Sequence, residues 1–129
     1  MRFMMLMYPN VPDEGWTPSS EAMGSMGKYN DELSKAGVLL ALDGLHPAAK
    51  GARVSWPDGK ATIHDGPFSE AKEVVGGYWV IQVRSRDEAV EWAKRIPDVS
   101  DGQVVEVRQI QEMEDFPAEI QEAARQAQA

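Results

Sequence analysis

Residues 2–8, Arg-Phe-Met-Met-Leu-Met-Tyr, are apolar on both alternating faces: Phe3, Met5 and Met7 fall on one side of an extended chain, Met4 and Leu6 on the other. Side chains alternate across a strand, so a strand apolar on both sides must be covered on both sides and belongs in the interior of a sheet. The pattern recurs from Gly77 to Arg84, where Tyr78, Val80 and Gln82 alternate with Trp79, Ile81 and Val83 in a run rich in β-formers. Two such strands in a chain of 129 residues leave few architectures open.

The connections narrow them further. Val11–Pro18, with two prolines and a glycine, reads as a loop. Thr17-Pro18 has the form of an N-cap followed by proline at the first helical position, and Ala22, Met26, Tyr29, Leu33 and Ala36 then recur at helical spacing up to a stop at Gly37. Val38–Leu42 reads as a second strand leading to the turn-like Asp43-Gly44. Ala52–Trp56 and Ala61–His64 flank Pro57-Asp58-Gly59 and predict an inserted hairpin. Ser85-Arg86-Asp87-Glu88 has capping-box spacing ahead of a helix with Ala89, Trp92, Ala93 and Ile96 as its apolar stripe and Pro97 as its stop. Gln103–Ile110 closes the order as a strand with Val105 and Val107 on one face and Glu106 and Arg108 on the other.

The sum is β-α-β, hairpin, β-α-β: a split β-α-β, α+β fold with two helices on one face of a four-stranded antiparallel sheet. The two-sided strands demand a cover for the other face, and no long core helix precedes residue 111 to supply it. A second copy of the chain is the simplest cover, so the expectation is a two-fold homodimer. Residues 1–111 form the domain and 112–129 an acidic, helix-forming extension. That extension holds five carboxylates against Arg125 alone, half of the net charge of −8.

Composition removes several functions. The chain has no cysteine, which excludes a disulfide scaffold, a thiol nucleophile and cysteine-ligated metal. A pI near 4.7 disfavours binding to the phosphate backbone, so no nucleic-acid partner is expected. No run approaches the length of a membrane span, and Phe3–Tyr8 is too short for a secretory core, so the expectation is a cytoplasmic protein with no membrane partner. Gly76-Gly77 lacks the spacing of a nucleotide loop, and no cofactor or metal is expected.

The most unusual stretch is His64-Asp65-Gly66-Pro67-Phe68-Ser69-Glu70-Ala71-Lys72-Glu73, followed by Gly76-Gly77-Tyr78-Trp79. It resembles the signature of the YCII-related family, specifically its DGPF branch. The first strand ending in Tyr8, the Ala36-Gly37-Val38 junction, Gly44-Leu45-His46-Pro47, Glu91-Trp92-Ala93 and Val105–Arg108 are similar to family positions as well, so the resemblance covers roughly residues 1–116. It implies a ferredoxin-like dimeric α+β barrel. It also implies small-molecule chemistry with a His-Asp pair, a dehydrochlorinase-like relative, and for some relatives association with an alternative sigma factor. In the smaller members the histidine lies on the first helix; residues 21–36 here contain none.

Asp65, in an Asp-Gly-Pro-Phe turn, reads either as a turn-forming carboxylate or as a general base held at a cavity mouth. His64 and His46 are the two histidines, each at a strand end; imidazole is the side-chain type that moves protons near neutrality, and either could pair with Asp65. Arg53, Lys72 and Arg108 are candidates for an anionic substrate group, by a planar fork or a point charge, or else partners in ordinary ion pairs. Tyr78 and Trp79 are candidates for an aromatic ligand wall, with one of the two facing a cavity because strand neighbours point oppositely. The methionines Met4, Met5, Met7, Met23 and Met26 read as adaptable packing or as a pliable pocket. Two functions stand: acid/base chemistry of lyase or isomerase type on an anionic or aromatic small molecule at a cleft by the Asp65 turn, or a non-catalytic binding or regulatory module.

Overall fold

The computed structural model describes every residue except Glu14, Phe68, Ser69 and Ala129. Its elements are β1 (Arg2–Tyr8), α1 (Ser20–Lys35), β2 (Leu39–Gly44), β3 (Ala52–Ser55), β4 (Thr62–Asp65), β5 (Gly77–Gln82), α2 (Arg86–Lys94), β6 (Val104–Gln109) and α3 (Ala118–Gln128). The main sheet runs β2-β5-β1-β6 with every neighbouring pair antiparallel. The two strands apolar on both faces occupy its two central positions. This is a ferredoxin-like α+β arrangement, with β3 and β4 forming a separate two-stranded sheet.

One face of the main sheet holds the core. Phe3, Met5 and Met7 of β1 and Trp79 and Ile81 of β5 pack with Tyr29 and Leu33 of α1 and with Ala89 and Ile96 around α2. The register places Met5 between Trp79 and Val107, so the core stripe crosses three adjacent strands. Between the helices, the Tyr29 hydroxyl donates to the Trp92 carbonyl at 2.8 Å, and Arg95 lies 4.4 Å over the Trp92 ring while bonding Glu32 at 2.9 Å. Burial pushes the Tyr29 hydroxyl well above its ordinary ionisation range, so it stays a neutral donor. On the opposite face lie Met4, Leu6, Tyr8 and Tyr78, all half-buried.

Three local features differ from the sequence pattern. The cap of α1 is Ser19, whose hydroxyl accepts from the Ala22 amide at 3.1 Å; Thr17-Pro18 stays in the loop. A serine one residue ahead of the first helical turn satisfies an orphan amide as well as threonine would, and it leaves Pro18 outside the helix. In the second helix the Ser85 hydroxyl accepts from Glu88 as expected, but the returning Glu88 carboxylate takes the Arg84 amide, one residue earlier than in a regular box. In β2 the pairing slips between Leu39 and Ala41, so Leu39 opposes Ile81 and Leu42 opposes Trp79. A β-bulge at Leu40, which is 50% exposed, puts two residues three apart on the same core face.

The β3–β4 hairpin is closed by the six residues 56–61 between the paired Ser55 and Thr62, and within that loop Asp58 and Gly59 are both left-handed, with φ of 54° and 78°. Its strands pair Arg53 with His64 and Val54 with Ile63, and both apolar side chains are exposed. It is anchored at its base. The Gly66 amide donates to the Gly51 carbonyl at 3.1 Å, and Gly66 passes so near the Ala48 carbonyl that a Cβ there would stand 1.8 Å from its oxygen.

Candidate active site

A cavity of about 650 Å³ opens where the ends of β1, β2 and β5 meet the first half of α1. The meeting point depends on Gly76: its amide donates to the Met7 carbonyl at 2.7 Å, its carbonyl accepts from Leu45 at 2.9 Å, and a Cβ would strike the Pro9 ring at 2.8 Å. The glycine pair therefore serves close backbone approach, bringing three strand ends to one place. Met7, Leu42 and Trp79 border the cavity from the sheet, Met23, Met26 and Asn30 from α1. Trp16 and its prolines close it from the loop before α1, while His46-Pro47 and Val74-Val75 close it from the other side. Such a volume, largely apolar with a few polar groups, is typical of small-molecule sites.

Most of the polar groups are individually held. The Trp79 indole N–H donates to Asn30 Oδ1 at 2.8 Å, and Trp79 stands edge-on to Tyr29 with ring centroids 6.0 Å apart. The Tyr78 hydroxyl donates to Asp43 Oδ2 at 2.7 Å across the β5–β2 pair, and that bond to a carboxylate raises the Tyr78 ionisation above its usual range. Asp13 Oδ2 accepts from the Ala49 amide at 3.0 Å and ties the loop before α1 to the turn that carries the hairpin. His46 borders the cavity and has no hydrogen-bond partner among the described residues.

A family model for the YCII-related domain matches residues 1–114. The chain belongs to the YCII-related domain family. An uncharacterized protein of Rhizobium meliloti (strain 1021) is 32% identical over 78 residues, a match spanning 60% of this chain and 63% of the relative. The aligned part is thus under two thirds of that relative's length.

In this YCII-related chain the cavity gathers three of the eight residues singled out from the sequence: His46, Tyr78 and Trp79. Both aromatics border it, although their side chains leave β5 on opposite faces, because the cavity lies at the strand's end. His64 and Asp65 are exposed on β4 and are absent from the described lining. As neighbours on a strand they point to opposite faces of the hairpin. The Phe68-Ser69 part of their motif lies outside the described residues. Arg53 sits beside His64's register position on β3, Lys72 is exposed in a short turn, and Arg108 bonds Glu106 at 3.2 Å on the sheet face away from the helices. None of these three cations borders the cavity.

Sequence reasoning missed Asn30, Asp43 and Asp13. Asn30 flanks the apolar stripe of α1, four residues after Met26 and three before Leu33, and its polar side chain leaves it out of a pattern built on apolar residues. Asp43 looked like the first residue of a turn, whereas β2 continues through it to Gly44. The methionines had given the stronger signal: Met7, Met23 and Met26 all border the cavity. Among the described residues no three His, Asp or Glu side chains gather as a metal site, and no helix is long and apolar enough to cross a membrane.

Proposed function

We propose that this YCII-related protein binds a small molecule in the cavity between α1 and the ends of β1, β2 and β5, and that His46 exchanges a proton with it. The observation that carries the reading is the placement of His46 at a largely apolar cavity whose two carboxylates are already engaged, Asp43 by Tyr78 and Asp13 by the Ala49 amide. An imidazole without a competing partner at such a site is suited to take or give a proton.

The test is a screen of phenolic, lactone and halogenated acid compounds for thermal stabilisation and turnover, since a ligand that binds the native state stabilises it by mass action. His46→Gln should abolish turnover of a hit while preserving its binding, and Asp65→Asn should preserve both. Turnover that survives His46→Gln removes His46 from the chemistry. Stabilisation without turnover would favour the binding-module reading; the sigma-factor association rests on the resemblance alone and would need co-purification with that partner.

We also propose that a second copy covers the sheet face bearing Met4, Leu6 and Val80. Support comes from the position of these residues on the two central strands, on the side away from α1 and α2, with Val104 exposed at the same face. Sedimentation of the wild type as a dimer and of Leu6→Asp as a monomer is the expected pair of results. A monomeric wild type at micromolar concentration would exclude the assembly.

A further inference from the structure

We infer that the cavity selects an uncharged molecule bearing a carbonyl-type oxygen, and that the side-chain amide of Asn30 is the group that reads it. This rests on the small-molecule reading above and narrows its ligand class.

The orientation of the Asn30 amide follows from its partner. An indole N–H is a donor and never an acceptor, so the Asn30 atom 2.8 Å from Trp79 Nε1 must be the oxygen. The remaining NH2 group therefore carries the donors. No acceptor for it is found among the described residues, and Asn30 borders the cavity. Trp79, only 5% exposed and braced edge-on by Tyr29, cannot turn away to release the oxygen. The result is a pre-oriented donor on a wall otherwise made of Met23 and Met26, and a donor in an apolar wall favours a ligand with an acceptor over one without.

Charge decides which acceptor. The described lining contains Asp13 and Asp43 against His46 alone as a group able to carry positive charge, with no lysine or arginine. A carboxylate entering this space would meet two negative charges in a medium of reduced dielectric, where like-charge repulsion is strong. Arg53, Lys72 and Arg108, the cations that would offset it, lie outside. An amine would be attracted by the carboxylates but would leave the Asn30 donors facing its own. A ketone, ester, lactone or amide satisfies Asn30 without either penalty. The three methionines and Trp16 offer an adaptable surface for its apolar or aromatic body.

Four naphthalenes of matched shape separate these cases: 2-acetylnaphthalene, 2-ethylnaphthalene, 2-naphthoate and 1-(2-naphthyl)ethylamine. Their binding to the 15N-labelled full chain is followed by NMR through the Asn30 side-chain amide and the Trp79 indole N–H. The ketone should bind about tenfold more tightly than the hydrocarbon, the net worth of one hydrogen bond that would otherwise be lost, and should shift the Asn30 NH2 signals. Asn30→Asp keeps an acceptor for Trp79 and removes the donors, so it should bring the ketone's affinity down to the hydrocarbon's. Equal affinities of ketone and hydrocarbon in the wild type, tightest binding of the carboxylate or the amine, or an unchanged ketone affinity in Asn30→Asp would overturn the inference while leaving the cavity as a binding site. Failure of all four to bind would overturn the inference together with the binding reading.

Discussion

The indole N–H of Trp79 and the side-chain oxygen of Asn30, 2.8 Å apart, join the centre of the sheet to α1 at the edge of the cavity. One contact thereby serves two levels of organisation. It satisfies a donor that the core would otherwise strand, and it fixes which end of the Asn30 amide faces outward.

Asn30→Leu removes the acceptor that, among the described residues, pairs with a nearly buried indole N–H. A buried donor left unpaired costs about 1–3 kcal/mol, and the leucine's added apolar area does not recover it at a position that borders open space. Urea denaturation should show a loss in that range for Asn30→Leu and most of it restored in Asn30→Asp. Equal loss in both variants would mean that shape, rather than the hydrogen bond, holds this junction.

The fold was legible because its strongest constraint is local. Phe3, Met5 and Met7 opposite Met4 and Leu6 declare an interior strand without knowledge of any partner, and the same holds for Tyr78–Val83. The bulge at Leu40 was hidden because Val38-Leu39-Leu40-Ala41-Leu42 is apolar throughout, so no polar residue marks where the alternation slips. The site was harder to read for the same reason. Whether His46, His64 or Asp65 reaches a cavity depends on which side of a turn each strand leaves, and that is set by Gly66 against Ala48 and Gly76 against Pro9. Both contacts join segments far apart in sequence, and neither residue type reveals its partner.

Gly66→Ala should destabilise the protein by about 1–3 kcal/mol, the usual range for forcing atoms into packed space. The obstacle is backbone: the new Cβ would lie 1.8 Å from the Ala48 oxygen and 2.5 Å from its carbonyl carbon. Relief requires the hairpin base to move from the turn at 48–50, so the Gly66 amide, now bonded to Gly51, should lose hydrogen-exchange protection ahead of the core strands. Wild-type protection at Gly66 in the variant would show that the turn can yield.

Ser85→Ala should cost about 1 kcal/mol through loss of the α2 cap. The Ser85 hydroxyl accepts from the Glu88 amide at 3.1 Å, while the Glu88 carboxylate holds the Arg84 amide at 3.0 Å. The second bond runs through a different residue, so Ser85→Ala and Glu88→Ala should destabilise nearly additively in thermal unfolding. Strong coupling between them would point to one cooperative box.

Acid should weaken the tie between the start of β1 and the segment after β6. Arg2 grips Glu112 through two nitrogens, at 2.6 and 3.0 Å, and this pairing holds the Glu112 carboxyl below its usual range. A carboxyl whose folded value is depressed binds protons more readily when unfolded. Its contribution is thus complete above the ordinary glutamate value, about 4.3, and is lost as pH falls through the folded value. The melting temperatures of wild type and Glu112→Gln should differ at neutral pH and converge as pH falls below the ordinary glutamate range. A constant difference across that interval would show that the pair adds nothing that titrates.

Tyr78 provides the last test, at the opposite end of the pH scale. Its hydroxyl donates to Asp43 at 2.7 Å, and ionising it would set a phenolate against a carboxylate, so the bond and the adjacent charge both raise its ionisation. Asp43→Asn keeps an acceptor oxygen and removes the charge. The phenol assigned by its loss in Tyr78→Phe should then ionise at lower pH in Asp43→Asn than in the wild type, as followed by ultraviolet absorbance on alkaline titration. Since the folded value is raised, any stability the pair supplies is present below the ordinary tyrosine range and lost as pH rises through the folded value. An unchanged titration in Asp43→Asn would mean that the carboxylate does not set the Tyr78 ionisation, and Asp43 would then be free to meet a ligand at the cavity edge.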